Sequence, residues 1–208
     1  ALQSVGVEEA YRFATENLNL NLVADDMVVG ALGMGGLSHG LNTVEMAAAY
    51  ACFANNGVYN EPRTYVRVTR IDNTTGQEVT VLENESESHV AMKETTAYLM
   101  TDMLKNAVTS GTGGQARFGG MHIAGKTGTT NDNKDRYFVG FTPYYVAAVW
   151  TGYEDPERIS YSGNPAITMW KKVMEPLHMD LPDKDFDNKP ATGLTSIRVC
   201  LDSGMLPS

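Results

Sequence analysis

A helix that is apolar nearly all the way round is stable only inside a layered fold, and residues 43–56 spell one out. Asn42 stands as N-cap, Glu45 three residues later can return the capping hydrogen bond, and Gly57 supplies a left-handed stop. Between these signals Val44, Ala47, Ala48, Ala51 and Cys52 share one face, with Met46, Tyr50 and Phe53 around it. The rest of the chain must enclose this helix. A long stretch without a formal charge, 137–153, is broken by Gly140, Thr142 and Pro143, so it reads as strands 137–142 and 144–152 rather than a membrane helix. Joined so tightly, the two strands are expected to pair antiparallel. Residues 121–129 form a third strand before them. A helix opened by Asn164, with Pro165 at its first position, carries Ile167, Trp170, Val173, Met174 and Leu177 and is expected to pack on this sheet.

Helical spacing also runs through 7–18 and 93–108, and Ser110-Gly111 ends the second of these. Residues 64–71 and 78–82 flank Asp72-Asn73-Thr74-Thr75-Gly76 and predict a hairpin. The glycine-rich segment 31–40 and the acidic segment 83–87 read as loops. These elements predict an α/β chain of the α+β type, an antiparallel sheet packed with helices. A domain over 1–178 is followed by a tail or linker over 179–208, marked by Pro182, Asp183, Asp185, Asp187 and Pro190, with one short strand at 196–201.

Charge narrows the partners. Sixteen Lys and Arg against 25 Asp and Glu give a net charge of -9, which repels phosphate backbones and argues against nucleic acid. Cys52 and Cys200 form no disulfide framework, and neither they nor His39, His89, His122 and His178 have zinc-ligand spacing. No metal or cofactor is expected.

Two chemistries compete for residues 120–127. The letters Gly-Met-His-Ile-Ala-Gly-Lys-Thr fit the phosphate-loop pattern G-x-x-x-x-G-K-[ST], which would make the chain a nucleotide-binding protein. A phosphate loop must open directly into a helix, whereas Thr127 is followed by Gly128-Thr129-Thr130-Asn131-Asp132-Asn133, all poor helix formers. As part of a strand, the same residues put Lys126 and Gly128 on one face and Thr127 and Thr129 on the other. A cation and two hydroxyls beside a strand edge suit an extended peptide with a free carboxylate. A peptide-binding module without catalysis would use the same edge. Ser162-Gly163-Asn164 is better explained as a helix cap than as a catalytic pair, and Ser38-His39 has no recognisable orienting acid.

Lys126-Thr127-Gly128 is also the third signature of the penicillin-binding proteins and serine β-lactamases, beside S-x-x-K and S-x-N. With Thr43-Val44-Glu45-Met46-Ala47, Phe53-Ala54-Asn55-Asn56-Gly57, Gly111-Thr112-Gly113, Phe138-Val139-Gly140-Phe141-Thr142-Pro143 and Val149-Trp150-Thr151-Gly152-Tyr153, it resembles the transpeptidase domain of class A penicillin-binding proteins from about 29 to 178. The resemblance implies a β-lactamase/transpeptidase-like fold and a serine acyl-transfer enzyme acting on D-alanyl-D-alanine stem peptides of peptidoglycan, with β-lactams as inhibitors. It implies catalytic roles for Lys126, which would hydrogen-bond toward the S-x-N serine, and Thr129, whose N–H would be one of two oxyanion donors. Thr127, Gly128, Thr129 and Thr130 would bind substrate. It also implies a parent protein on the extracytoplasmic face of the membrane, held by an anchor outside this chain and carrying a glycosyltransferase domain. No Ser here is followed three residues later by Lys, so the nucleophile is absent. The chain is therefore expected to need the N-terminal part of its own domain, to be silent alone, to hold an incomplete sheet, and to self-associate through exposed strand edges.

Overall fold

A computed structural model describes residues 2–200 and 203–206. Helices α1 (Leu2–Val5) and α2 (Val7–Arg12) lead into a π-helical turn at Phe13–Asn17 and, after a short turn at Ala24–Asp26, into α3 (Val29–Met34) and α4 (Thr43–Ala54). Strands β1 (Val58–Asn60), β2 (Arg67–Ile71), β3 (Glu78–Glu83) and β4 (Ser88–Val90) follow, then α5 (Glu94–Thr109). Strands β5 (Ala124–Thr129), β6 (Arg136–Phe141) and β7 (Val146–Thr151) and helix α6 (Pro165–Leu177) complete the order. β5, β6 and β7 form one antiparallel sheet in sequence order, while β1 pairs with β4 and β2 with β3.

The sheet is the middle of three layers. Phe138 and Phe141, three apart on β6, point to opposite faces. Phe138 packs against Ile167, Trp170 and Met174 of α6, and Phe141 against Leu104 of α5 with Tyr50, Phe53 and Ala54 of α4 beside it. Trp170 is fully buried, and its Nε1–H reaches the carbonyls of Gly140 (3.3 Å) and Ala147 (3.0 Å). Gly140 makes that approach possible: a Cβ there would lie 2.6 Å from Phe138 Cε1 and 3.0 Å from Trp170 Cζ2.

The capping reading of α4 is borne out atom for atom. Asn42 Oδ1 accepts the Glu45 N–H (2.9 Å), Glu45 Oε2 accepts the Asn42 N–H (3.0 Å), and Asn56 and Gly57 beyond the helix take left-handed conformations. The enclosure is not complete. Ala48, Ala49 and Cys52 are buried, but Val44 is 57% exposed, and an open groove of about 680 Å³ runs along Val44, Ala47 and Ala51 to Val146 and Ala148. Both outer strands of the sheet, β5 and β7, have one edge unpaired among the described residues. Cys52 is core: burial pushes its thiol up to about 11.

Other expectations need correction. Segment 31–40 is not all loop, because Ala31 is buried and Gly33 lies against Leu2, and these contacts stabilise α3 in spite of its glycines. Strand β5 starts at Ala124 rather than 121. Val173 and Leu177 stay outside the core at 58% and 54% exposure, since the sheet covers only the Ile167, Trp170 and Met174 stripe of α6. Residues 196–200 form no strand, and Leu201 lies outside the described residues.

The segment after α6 has no regular structure, yet it is tied to the fold. Tyr144 donates to the Pro182 carbonyl (2.8 Å), Lys105 Nζ meets Asp185 (2.7 Å), Phe186 packs edge-on against Phe141, and buried Asn188 donates to the Phe53 carbonyl and Thr101 Oγ1. Where α6 ends, buried His178 has Nδ1 2.6 Å from the Met174 carbonyl and Nε2 2.8 Å from Thr142 Oγ1. Thr142 Oγ1 already accepts the N–H groups of Tyr144 and Tyr145, so its proton goes to Nε2 and the histidine carries its own on Nδ1. This network locks the β6–β7 turn to the end of α6.

Candidate active site at the free edge of the sheet

Antiparallel pairing dictates which backbone groups β5 offers. The Thr130 N–H donates to the Asp135 carbonyl (3.1 Å) at the turn into β6, which makes Thr130 and Asp135 a hydrogen-bonded pair. Hydrogen-bonded and open pairs alternate along an antiparallel ladder. In the register Thr129↔Arg136, Gly128↔Tyr137, Thr127↔Phe138, the bonded position is therefore Gly128 and the open ones are Thr127 and Thr129. At the open positions the N–H and C=O groups point away from β6, to the unpaired edge. Lys126 agrees with this assignment, because its Nζ donates to the Thr127 carbonyl (3.1 Å).

The side chains follow the predicted alternation and then depart from it. Thr127 shares a face with Phe138 and Lys126 with Val139. The Lys126 ammonium nevertheless curls round the edge to reach Thr127 Oγ1 (3.3 Å), and Thr112 Oγ1 lies 2.7 Å from the same atom. An ammonium, two hydroxyls and outward-facing amides therefore meet at one place, with Thr129 exposed at its end. Gly128 keeps β5 close to β6, where a Cβ would lie 3.1 Å from Tyr137 Cβ.

Thr130 is set apart from this group. Its hydroxyl donates to Asp135 Oδ2 (3.0 Å) and accepts the Asp135 N–H (2.9 Å), while Trp150 Nε1–H donates to Asp135 Oδ1 (3.0 Å). That hydroxyl serves the β5–β6 turn, not the edge. Sequence reasoning missed Thr112 and Asp135 as partners of the lysine-threonine-glycine strand. Only the Gly111-Thr112-Gly113 triplet hinted at the first.

The phosphate-loop reading is overturned. Lys126 and Thr127 lie inside a strand, a short turn at Asn131–Asn133 with Asp132 and Asn133 left-handed follows it, and the strand's amides alternate sides instead of converging. His122 also points elsewhere, 3.4 Å from Asp185. Burial pushes the Asp185 carboxyl up, but the hydrogen bonds from Lys105 and the Phe186 amide, with the charge of Lys105, bring it below its ordinary value. Ser38 does have an acid partner, which the sequence did not reveal: Asp26 accepts its N–H (2.7 Å) and its hydroxyl (2.8 Å). The serine meets the acid directly, with no histidine between them, so the pair tethers a loop. The Ser38 amide chiefly holds the Asp26 carboxyl below its ordinary value. Asn164 is a cap, its Oδ1 accepting the Ala166 N–H (3.0 Å).

The same fold recurs in known proteins. The family described as penicillin binding protein transpeptidase domain matches residues 2–175. Penicillin-binding protein 1A of Clostridium acetobutylicum is 42% identical over 185 residues, which are 88% of this chain and 22% of that protein. The chain thus spans under a quarter of that relative's length. Among solved structures, penicillin-binding protein 1A from Haemophilus influenzae superposes with a TM-score of 0.73 at 20% identity, covering 99% of this chain and 35% of that one. The D,D-transpeptidase domain of a peptidoglycan glycosyltransferase from Eggerthella lenta gives a TM-score of 0.62 at 25% identity, covering 86% and 49%. With its mixed helix and antiparallel-sheet fold and a family match over most of its length, the chain belongs to the penicillin-binding protein transpeptidase domain family.

Proposed function

We propose that this chain supplies the carboxylate-binding edge of a peptidoglycan D,D-transpeptidase whose serine nucleophile lies in another part of the same protein. The observation that carries the reading is the gathering of Lys126, Thr127 and the outward amides of Thr127 and Thr129 on the free edge of β5. A stem peptide ending in D-alanyl-D-alanine adds along that edge, with its carboxylate at Thr127 and Thr129. The serine oxygen attacks the penultimate carbonyl, the bond to the terminal D-alanine breaks, and the serine proton leaves on the departing amine. An amine from a neighbouring strand then displaces the serine and closes the cross-link. The Thr129 N–H stabilises the negative charge that develops on the carbonyl oxygen, and Lys126 assists proton movement. β-Lactams enter as mimics of the same chain end. The parent protein acts at the extracytoplasmic face, anchored by a segment outside this chain.

Lys126→Ala in the full-length protein is expected to lower acylation by a reporter penicillin about 10²-fold or more, the scale of lost acid–base assistance. Stopped-flow fluorescence checks this, and an unchanged acylation rate would remove Lys126 from the mechanism. The unpaired edge of β7 and the groove beside Val44 carry a second expectation. The scattering mass of the isolated chain should rise with concentration, and a constant monomer mass would count against self-association.

A further inference from the structure

Thr112 takes no part in the chemistry proposed for the edge, yet its hydroxyl lies 2.7 Å from that of Thr127. The contact is built on a firm support. Gly111 and Gly113 lay the chain back on the last turn of α5, where a Cβ on Gly111 would come 2.8 Å from the Ala107 carbonyl oxygen and one on Gly113 3.0 Å from Val108 Cγ2. The Gly113 N–H also donates to the Ala107 carbonyl (2.9 Å). The backbone on both sides of Thr112 is therefore fixed.

Counting protons decides what the contact does. A threonine oxygen has one proton to give and two lone pairs to receive with. Lys126 Nζ donates to Thr127 Oγ1, so if Thr112 donates as well, both lone pairs are engaged and the Thr127 proton is left for a ligand. If Thr127 instead donated to Thr112, an arriving carboxylate would meet a lone pair and be repelled. An anion selects the first arrangement. We propose that Thr112 is a positioning residue: its hydroxyl donates to Thr127 Oγ1 and so commits the Thr127 proton to the carboxylate of the substrate or β-lactam. This rests on the edge being the carboxylate site proposed for it. Donor chains of this kind polarise one another, and the gain is largest when the final acceptor is charged.

The test uses the full-length protein that contains this chain, with Thr112→Val and Thr112→Ser. Acylation rates are measured for a penicillin with a free carboxylate and for its methyl ester. Thr112→Val is expected to slow the free acid about tenfold and the ester by less than about twofold, and Thr112→Ser to restore the free acid. Thermal melts report folding, and Thr112→Ala carries the same comparison if Thr112→Val unfolds. Equal losses on both forms, or no loss on either, would overturn the relay alone. Wild-type protein that reacts with neither form would overturn the transpeptidase reading, and the relay with it.

Discussion

Incubated with a reporter penicillin, the isolated 208-residue chain is expected to keep its unmodified mass, while the full-length protein gains one covalent adduct. No Ser in the chain has a Lys three residues on, so under the proposed serine mechanism the residue that attacks the lactam carbonyl lies elsewhere, together with its base. Removing the nucleophile of a serine enzyme costs about 10⁶ in rate. Losing one oxyanion donor costs about 10²–10³, so the absent serine dominates the outcome. On the proposed reading, the edge that remains would bind a chain end but have nothing to open it. Intact-mass spectrometry after long exposure is the measurement, and a stoichiometric adduct would show that a different residue of this chain is the nucleophile.

The second large effect is on stability. Trp170→Ala is expected to destabilise the fold by about 3–5 kcal/mol, the range for deleting a large buried aromatic side chain. For a chain of this size that lowers the melting temperature by roughly 6–20 °C. Trp170 is fully buried, meets Phe138 edge-on at 5.2 Å, and gives its N–H to the carbonyls of Gly140 and Ala147. It thus binds α6 to β6 and β7 at once. Trp170→Phe keeps much of the ring and loses the N–H, so its cost should be smaller, with about 1 kcal/mol from the hydrogen bonds. Calorimetry on the two variants separates these parts. A Trp170→Ala variant that melts within a degree or two of the wild type would contradict the three-layer core. Because β6 is the strand on which β5 depends, the lost backing should also loosen the edge that carries Lys126 and Thr127.

Local signals in the sequence were enough for α4, α5, α6 and the three-stranded sheet. Capping residues act on backbone groups within four positions, as Asn42 and Glu45 do, so their effect can be read without knowing the fold. The same holds for the alternation along β5, which separates Lys126 from Thr127. Signals failed where contacts from afar outweighed propensity. The glycine-rich α3 is held by its neighbours, and Val173 and Leu177 fit the helical period yet find no sheet beneath them.

What the sequence determined by itself was the chemistry of the edge: a lysine, a threonine and a glycine in a strand, in an order and context that point to an acyl-transfer family. What only the tertiary structure decided was which groups meet there. Thr112 lies 15 residues from Thr127 along the chain, and Asp135, at the turn into β6, meets Trp150 of β7. The first contact exists only because β5 lies beside the end of α5, the second only because β6 pairs with β7. Periodicity and capping are properties of a few consecutive residues, whereas the direction of a hydroxyl proton depends on every donor and acceptor that the fold brings within reach.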